Sequence, residues 1–140
     1  MQSNPYLTFA GDCAEAFAHY AEVLGGTIND VLRYGEAPDC DWVTDDWRNK
    51  VMHSMFTAPG LVLMGSDAPP QMYEKPQGIS VALHVDSDAE ATRIYEAFRQ
   101  GGTVSMELQE TFWASRFAML VDRFGIRWII NCGKPEAAPA

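Results

Sequence analysis

Residues Leu108–Cys132, LQETFWASRFAMLVDRFGIRWIINC, hold three apolar runs almost end to end. Ala114-Ser115 interrupts the first break and Asp122-Arg123-Phe124-Gly125 the second, and the latter is the composition of a tight hairpin turn. The stretch therefore predicts the end of a strand at Leu108, a strand over Arg116–Val121, a hairpin, and a strand over Arg127–Asn131. No other segment sets so much polar chemistry beside apolar strand residues: a Gln-Glu pair, two Trp, two Arg flanked by apolar residues, and an Asn inside the last strand.

Working outward, Val104–Leu108 is a strand, preceded by a helix over Asp88–Arg99. Ser87 with Glu90 three residues on forms a capping box for that helix, and Gly101-Gly102 stops it. Ile79–Val85 is a strand before it. The order strand, helix, strand, strand, strand then appears a second time upstream. Tyr6–Phe9 is a strand, and Asp12 with Glu15 caps a helix over Cys13–Leu24 whose apolar face is Ala14, Phe17, Ala21 and Leu24. Gly25-Gly26 stops that helix, and strands follow at Thr27–Tyr34, Val51–Ala58 and Leu61–Met64. The helical segments DCAEAFAHYAEVLGGT and DAEATRIYEAFRQGGT both open on Asp and reach Gly-Gly-Thr at the same interval, which is an internal repeat.

The expected architecture is thus α+β: two tandem βαβββ modules, the first at about 4–66 and the second at about 78–133, joined by a Pro-rich linker at about 67–77. Each module alone has one small sheet with one helix on a single face. Their sheets are expected to form one cup-shaped mixed sheet with helices outside, in a single domain, and the cup is the natural place for a ligand.

Composition narrows the function classes. The chain has 140 residues, 47% hydrophobic and 21% charged, as ordinary globular domains do. Its net charge of -9, with only ten Lys and Arg, excludes a phosphate-backbone partner, so no nucleic acid is expected. No run approaches the length of a membrane span. Three Cys at no metal-ligand spacing, Cys13, Cys40 and Cys132, point to reduced thiols and a cytoplasmic location. There is no nucleophile-base motif, phosphate-binding glycine loop, CxxC, or nucleotide or S-adenosylmethionine fingerprint. Between Gly35 and Lys50 the chain is acidic and irregular around Trp42 and Trp47, a loop long enough to suggest a lid or partner surface, whose Trp residues must cover something apolar.

The repeat, the segments PYLTFAGDCAEAFAHYAEVLGG, MHSMF and LMGSDAP, and above all QETFW with DRFGIRWIINC resemble the vicinal oxygen chelate superfamily, which includes glyoxalase I, bleomycin-resistance proteins and extradiol dioxygenases. Within it they resemble the PhnB-like branch, often labelled demethylubiquinone-methyltransferase-like. The resemblance implies a small-molecule ligand in the cup and a homodimer, with which exposed sheet edges are consistent. Metalloenzymes of the superfamily hold a divalent ion with residues such as His and Glu from the first and fourth strands of each module. Carried over here, those places fall at Pro5, Leu63 or Met64, Ser80 and Ile129, side chains that cannot form such a site. No cofactor is therefore expected, and no metal at the usual positions.

Candidate catalytic residues are His53 and Glu110; candidate ligand-binding residues are His53, Gln109, Glu110, Trp113, Arg116 and Arg127. His53 either projects into the cup as a base or hydrogen-bond group, or is a satisfied strand histidine. His84 shares the parity of Ser80 and could face the cavity, or be solvated at its strand end. Glu110, beside Phe112 and Trp113, is either a desolvated acid or base, or the ion-pair partner of Arg116. Arg127 shares the parity of Ile129 and suits a carboxylate or phosphonate, or snorkels to water. Asn131 is a strand amide needing a partner, and Ser66-Asp67 reads as a turn closing the first module. Two rival functions remain open: a metal-dependent lyase, isomerase or oxygenase whose ligands have moved to His53, His84 and Glu110, and a drug-sequestering resistance protein whose acidity suits a cationic drug.

Overall fold

A computed structural model describes residues 1–135. The element order is β1 (Tyr6–Phe9), α1 (Cys13–Leu24), β2 (Thr27–Arg33), β3 (Val51–Ala58), β4 (Leu61–Asp67), β5 (Val81–Val85), α2 (Asp88–Phe98), β6 (Thr103–Gln109), β7 (Ala114–Val121) and β8 (Arg127–Gly133). Short 3-10 turns lie at Tyr34–Glu36 and Asp45–Trp47. The chain divides between Lys75 and Pro76 into two compact units. Each carries one four-stranded sheet, in the orders β1-β4-β3-β2 and β5-β8-β7-β6. In both, the first strand runs parallel to the fourth and the other pairs are antiparallel. The fold is α+β with two tandem βαβββ modules, as the repeat predicts.

In unit 1 the helix-covered face of the sheet is aromatic. Phe9, Phe17, Tyr20 and Phe56 are all essentially fully buried, with Phe17 edge-on to Phe9 at 5.7 Å between ring centroids and 6.0 Å from Phe56. Burying each such ring stabilises by about 1.5–3 kcal/mol relative to exposure. The buried side of α1 is Cys13, Ala16, Phe17, Tyr20 and Val23. The predicted face is thus rotated: Ala14 is exposed, because Tyr20 and Val23 bury more apolar area than the small Ala14 and Ala21 and so set the helix's rotation. In unit 2 the corresponding layer is Ala91, Ile94 and Phe98 of α2 against Leu120, Trp128 and Ile130, with the Phe98 and Trp128 rings 4.7 Å apart.

The repeated Gly-Gly has one physical meaning in both units. Gly25 and Gly101 both take φ +72, the left-handed conformation that ends a helix. The second glycine is required by close packing. A Cβ on Gly26 would lie 2.4 Å from the Phe56 ring, and one on Gly102 would lie 2.3 Å from the Val121 carbonyl oxygen.

Helix starts differ from expectation at one end. Ser87 Oγ accepts from Glu90 N at 3.1 Å, as predicted. Asp12 makes no such side-chain cap. The α1 start is instead held by Asp67, whose Oδ1 accepts from Cys13 N and whose Oδ2 accepts from Val51 N, each at 2.8 Å. Asp67 is 1% exposed. It therefore closes β4 as a buried strand residue and is not part of a turn or linker. Strand β4 runs three residues beyond Met64, since Gly65, Ser66 and Asp67 pair with Leu7, Thr8 and Phe9.

Candidate functional site

Strand pairing decides which side chains face away from the helix in each unit. In unit 1 the buried Phe56 and Leu63 are partners on the helix side. His53 and Met55 alternate with Ser54 and Phe56, so they lie on the opposite face with Met64 of β4 and Tyr6 of β1. There the Tyr6 hydroxyl lies 3.2 Å from His53 Nδ1 and the rings are 5.8 Å apart. His53 is half-buried. Its polar partner comes from a strand on the far side of β4, a pairing that sequence spacing does not signal.

In unit 2, Trp128, Ile130 and Cys132 point to α2 and are buried. Arg127, Ile129 and Asn131 therefore face the other way, together with Ala82 and His84 of β5 and Phe117 and Met119 of β7. Asn131 Nδ2 lies 3.2 Å from His84 Nδ1. Each unit thus presents a histidine on its helix-free face with one ring nitrogen engaged by a polar neighbour. The parity of His84 and the need of a strand Asn for a partner were the signals for the second pair.

The remaining predicted residues separate. Gln109, at the exposed end of β6, donates its side chain to the Glu107 carbonyl. Glu110 does not pair with Arg116. It meets Lys134 at 3.5 Å, both side chains well exposed. Arg116 registers with Cys132 on the helix side and donates to the Ser115 carbonyl at 2.6 Å. It lies beside the start of α2, where its charge adds to the Ser115 hydroxyl bond, the larger effect, in holding the exposed Asp88 carboxyl below its ordinary range. Trp113 is near the helix-free face: its ring stands edge-on to Phe117 at 5.1 Å and to Phe112 at 4.7 Å. Arg127 is half-buried at the start of β8.

Several prominent residues are structural. Asp122, 4% exposed, accepts from Phe124 N and Ile126 N through Oδ1 and from Trp128 Nε1 through Oδ2 at 2.9 Å. The DRFGIRW motif is thereby explained as a self-bracing turn. Cys13 is no nucleophile, because burial first, and Asp67 and Asp12 next, push its thiol far above the ordinary value.

The places where the superfamily's metalloenzymes bind an ion do not fit one. Pro5 and Ser80 lie just outside β1 and β5. Leu63 is fully buried toward the helix, and Met64 and Ile129 offer no hard donor. Among the described residues, no three His, Cys, Asp or Glu side chains converge on a common point.

Two sheets, each braced by one helix in a βαβββ order, define the glyoxalase class of fold. The family model of 3-demethylubiquinone-9 3-methyltransferase matches residues 2–131. The chain is 31% identical to Protein YjdN of Escherichia coli strain K12, over 97% of this chain and 98% of that one. Among solved structures, protein PA1353 from Pseudomonas aeruginosa is similar at 43% identity with a TM-score of 0.86, covering 96% of this chain and 99% of that chain. The PhnB protein from Bacillus cereus shares the fold, with 19% identity and a TM-score of 0.80 over 95% of this chain and 100% of that chain. The chain belongs to the 3-demethylubiquinone-9 3-methyltransferase family.

Proposed function

We propose that the chain is a small-molecule-binding protein of the PhnB-like branch that holds its ligand against a helix-free sheet face without a resident metal ion. The observation that carries this reading is an engaged histidine on the helix-free face of each unit: His53 with Tyr6, beside Met55 and Met64, in unit 1, and His84 with Asn131, beside Met119 and Ile129, in unit 2. An apolar surface carrying a few polar groups is the composition of a ligand site. Methionine walls adapt to an irregular ligand. Arg127, on the same face as Asn131, favours an anionic group such as a carboxylate or phosphonate. Trp113 supplies an aromatic edge beside Phe117. An imidazole engaged at Nδ1 keeps its Nε2 edge for a hydrogen bond with a ligand. Among the described residues no helix is long and apolar enough to cross a membrane; the free cysteines suit a reducing cytoplasm, and the edge strands of each sheet suit pairing in a homodimer.

A thermal-shift panel of small carboxylates, phosphonates and organic cations, each with and without Mn, Fe, Ni or Zn, tests this. Stabilisation that does not need metal and is lost in His53→Ala or His84→Ala is expected. Stabilisation that requires metal, or that survives both substitutions and Trp113→Ala, overturns the reading.

A further inference from the structure

The connection from β2 to β3 builds a pocket of its own in unit 1, separate from the residues assigned above. Trp42, Thr44, Asp46 and Trp47 meet Pro69 and Pro70, which follow β4, around a cavity of about 280 Å³. That volume suits a small organic molecule. Its walls are two indoles and two pyrrolidine rings, and Asp46 is the one charged residue that lines it. The segment is rigidly attached. Tyr34, buried, donates its hydroxyl to the Asp67 carbonyl at 2.7 Å and meets the Trp42 ring edge-on at 5.8 Å. Backbone bonds from Gly35 N to the Arg48 carbonyl and from Tyr34 N to the Lys50 carbonyl close the base of the loop.

Charge decides the ligand class. Residues 36–50 include five carboxylates and two basic residues. Lys50 Nζ donates to the Gly11 carbonyl at 2.7 Å and lies 5.9 Å from the Trp47 ring centroid, and Arg48 Nη2 donates to the Gly35 carbonyl at 3.4 Å. Neither basic residue lines the pocket. An anion would therefore meet the Asp46 carboxylate at the pocket wall, whereas a cation would meet indole surface and that carboxylate, the pairing that binds alkylammonium groups. One further observation favours an occupant: Trp42, which lines the pocket, is 54% exposed, so its indole surface is open to a ligand.

We propose that this pocket binds a small organic cation of the quaternary or alkylated ammonium class, clasped between Trp42 and Trp47 with Asp46 as counter-charge. It is independent of the histidine-bearing faces, so either reading can fail without the other. The test uses choline and its uncharged isostere 3,3-dimethylbutan-1-ol, titrated into the full-length protein while the indole N–H signals of all four Trp are followed by NMR. Choline should shift the Trp42 and Trp47 signals and leave Trp113 and Trp128 in place. The isostere should bind at least tenfold more weakly. Asp46→Asn should weaken choline binding several-fold, Trp42→Ala at least tenfold, and Trp42→Phe much less, with folding of unit 1 in each variant checked by unchanged ring signals of the buried Phe9, Phe17 and Phe56. Equal binding of choline and the isostere, or choline shifts confined to Trp113, or no shift at millimolar choline, overturns the proposal.

Discussion

The two units share topology, strand order and glycine pairs, yet each secures its sheet with a differently placed buried carboxylate. In unit 1 Asp67 reaches across the fold, joining the start of α1 to the start of β3 over sequence separations of 54 and 16 residues. In unit 2 Asp122 braces its own turn, with partners two, four and six residues away. The same connection also diverges: residues 34–50 link β2 to β3, while 110–113 suffice between β6 and β7. The two differences belong together. A long insertion leaves its flanking strand without a tight turn to align it, and a carboxylate that ties the strand's first N–H to a helix start does that work. The long connection is then free to carry a pocket, while the short one holds Phe112 and Trp113 at the sheet edge.

Removing the two carboxylates breaks this comparison most severely. Asp67→Ala leaves two buried N–H groups unpaired and should cost about 3–5 kcal/mol in urea unfolding, against about 2–4 kcal/mol for Asp122→Ala, whose turn can relax toward water. Hydrogen exchange should separate them: Asp67→Ala should deprotect both α1 and β3, whereas Asp122→Ala should loosen only the β7–β8 hairpin. Equal and global deprotection by both would mean that the carboxylates are interchangeable. Next in size are the packed glycines. Gly26→Ala and Gly102→Ala should each destabilise by about 2–3 kcal/mol, because the added methyl meets a ring or a carbonyl. Gly25→Ala should cost only about 1 kcal/mol of left-handed strain, with open space around it.

Alkaline pH should distinguish the units more gently. The Cys13 thiol and the Tyr34 phenol are both raised, chiefly by burial and next by Asp67. Unfolded, they release protons near their ordinary values of 9.0 and 10.0, while the folded state holds them. Their contribution is therefore complete below pH 9 and declines as pH rises beyond it. Amide exchange in α1 should accelerate relative to α2 above that pH, and Cys13→Ala should remove part of the difference. The smallest effect is at Asp88, whose carboxyl is lowered by the Ser115 hydroxyl. Its contribution is present above the ordinary value of 3.8 and is lost as pH falls below it. Because the group is fully exposed, a carboxyl NMR titration is the measurement, and Ser115→Ala should return the midpoint toward 3.8.

The repeat was legible because both copies keep the local devices that strands and helices need: glycine pairs, hairpin residues and an opening Asp. The histidine partners were legible only in part: parity and the need of Asn131 for a partner pointed toward the second pair, and nothing local pointed to Tyr6. Tyr6 and Asn131 meet His53 and His84 across strand pairings 47 residues apart in both cases, and no local pattern encodes which polar groups two strands bring level. For the same reason the ion-pair alternative for Glu110 named Arg116, six residues on, whereas Arg116 lies by Asp88 and Glu110 meets Lys134. Asp67 looked like a turn residue because Ser-Asp before Pro-rich sequence is turn chemistry; burial against α1 overrode that propensity.

By itself, then, the sequence determined the element order and the duplication, since both depend on residue type and short-range spacing. Tertiary structure alone decided which carboxylates are buried, which histidines gain partners, and that Trp42 and Trp47 meet Pro69 and Pro70 around a pocket. Those outcomes follow from strand register and side-chain packing, which bring together groups tens of residues apart and are settled by the whole fold's energy and not by any one segment.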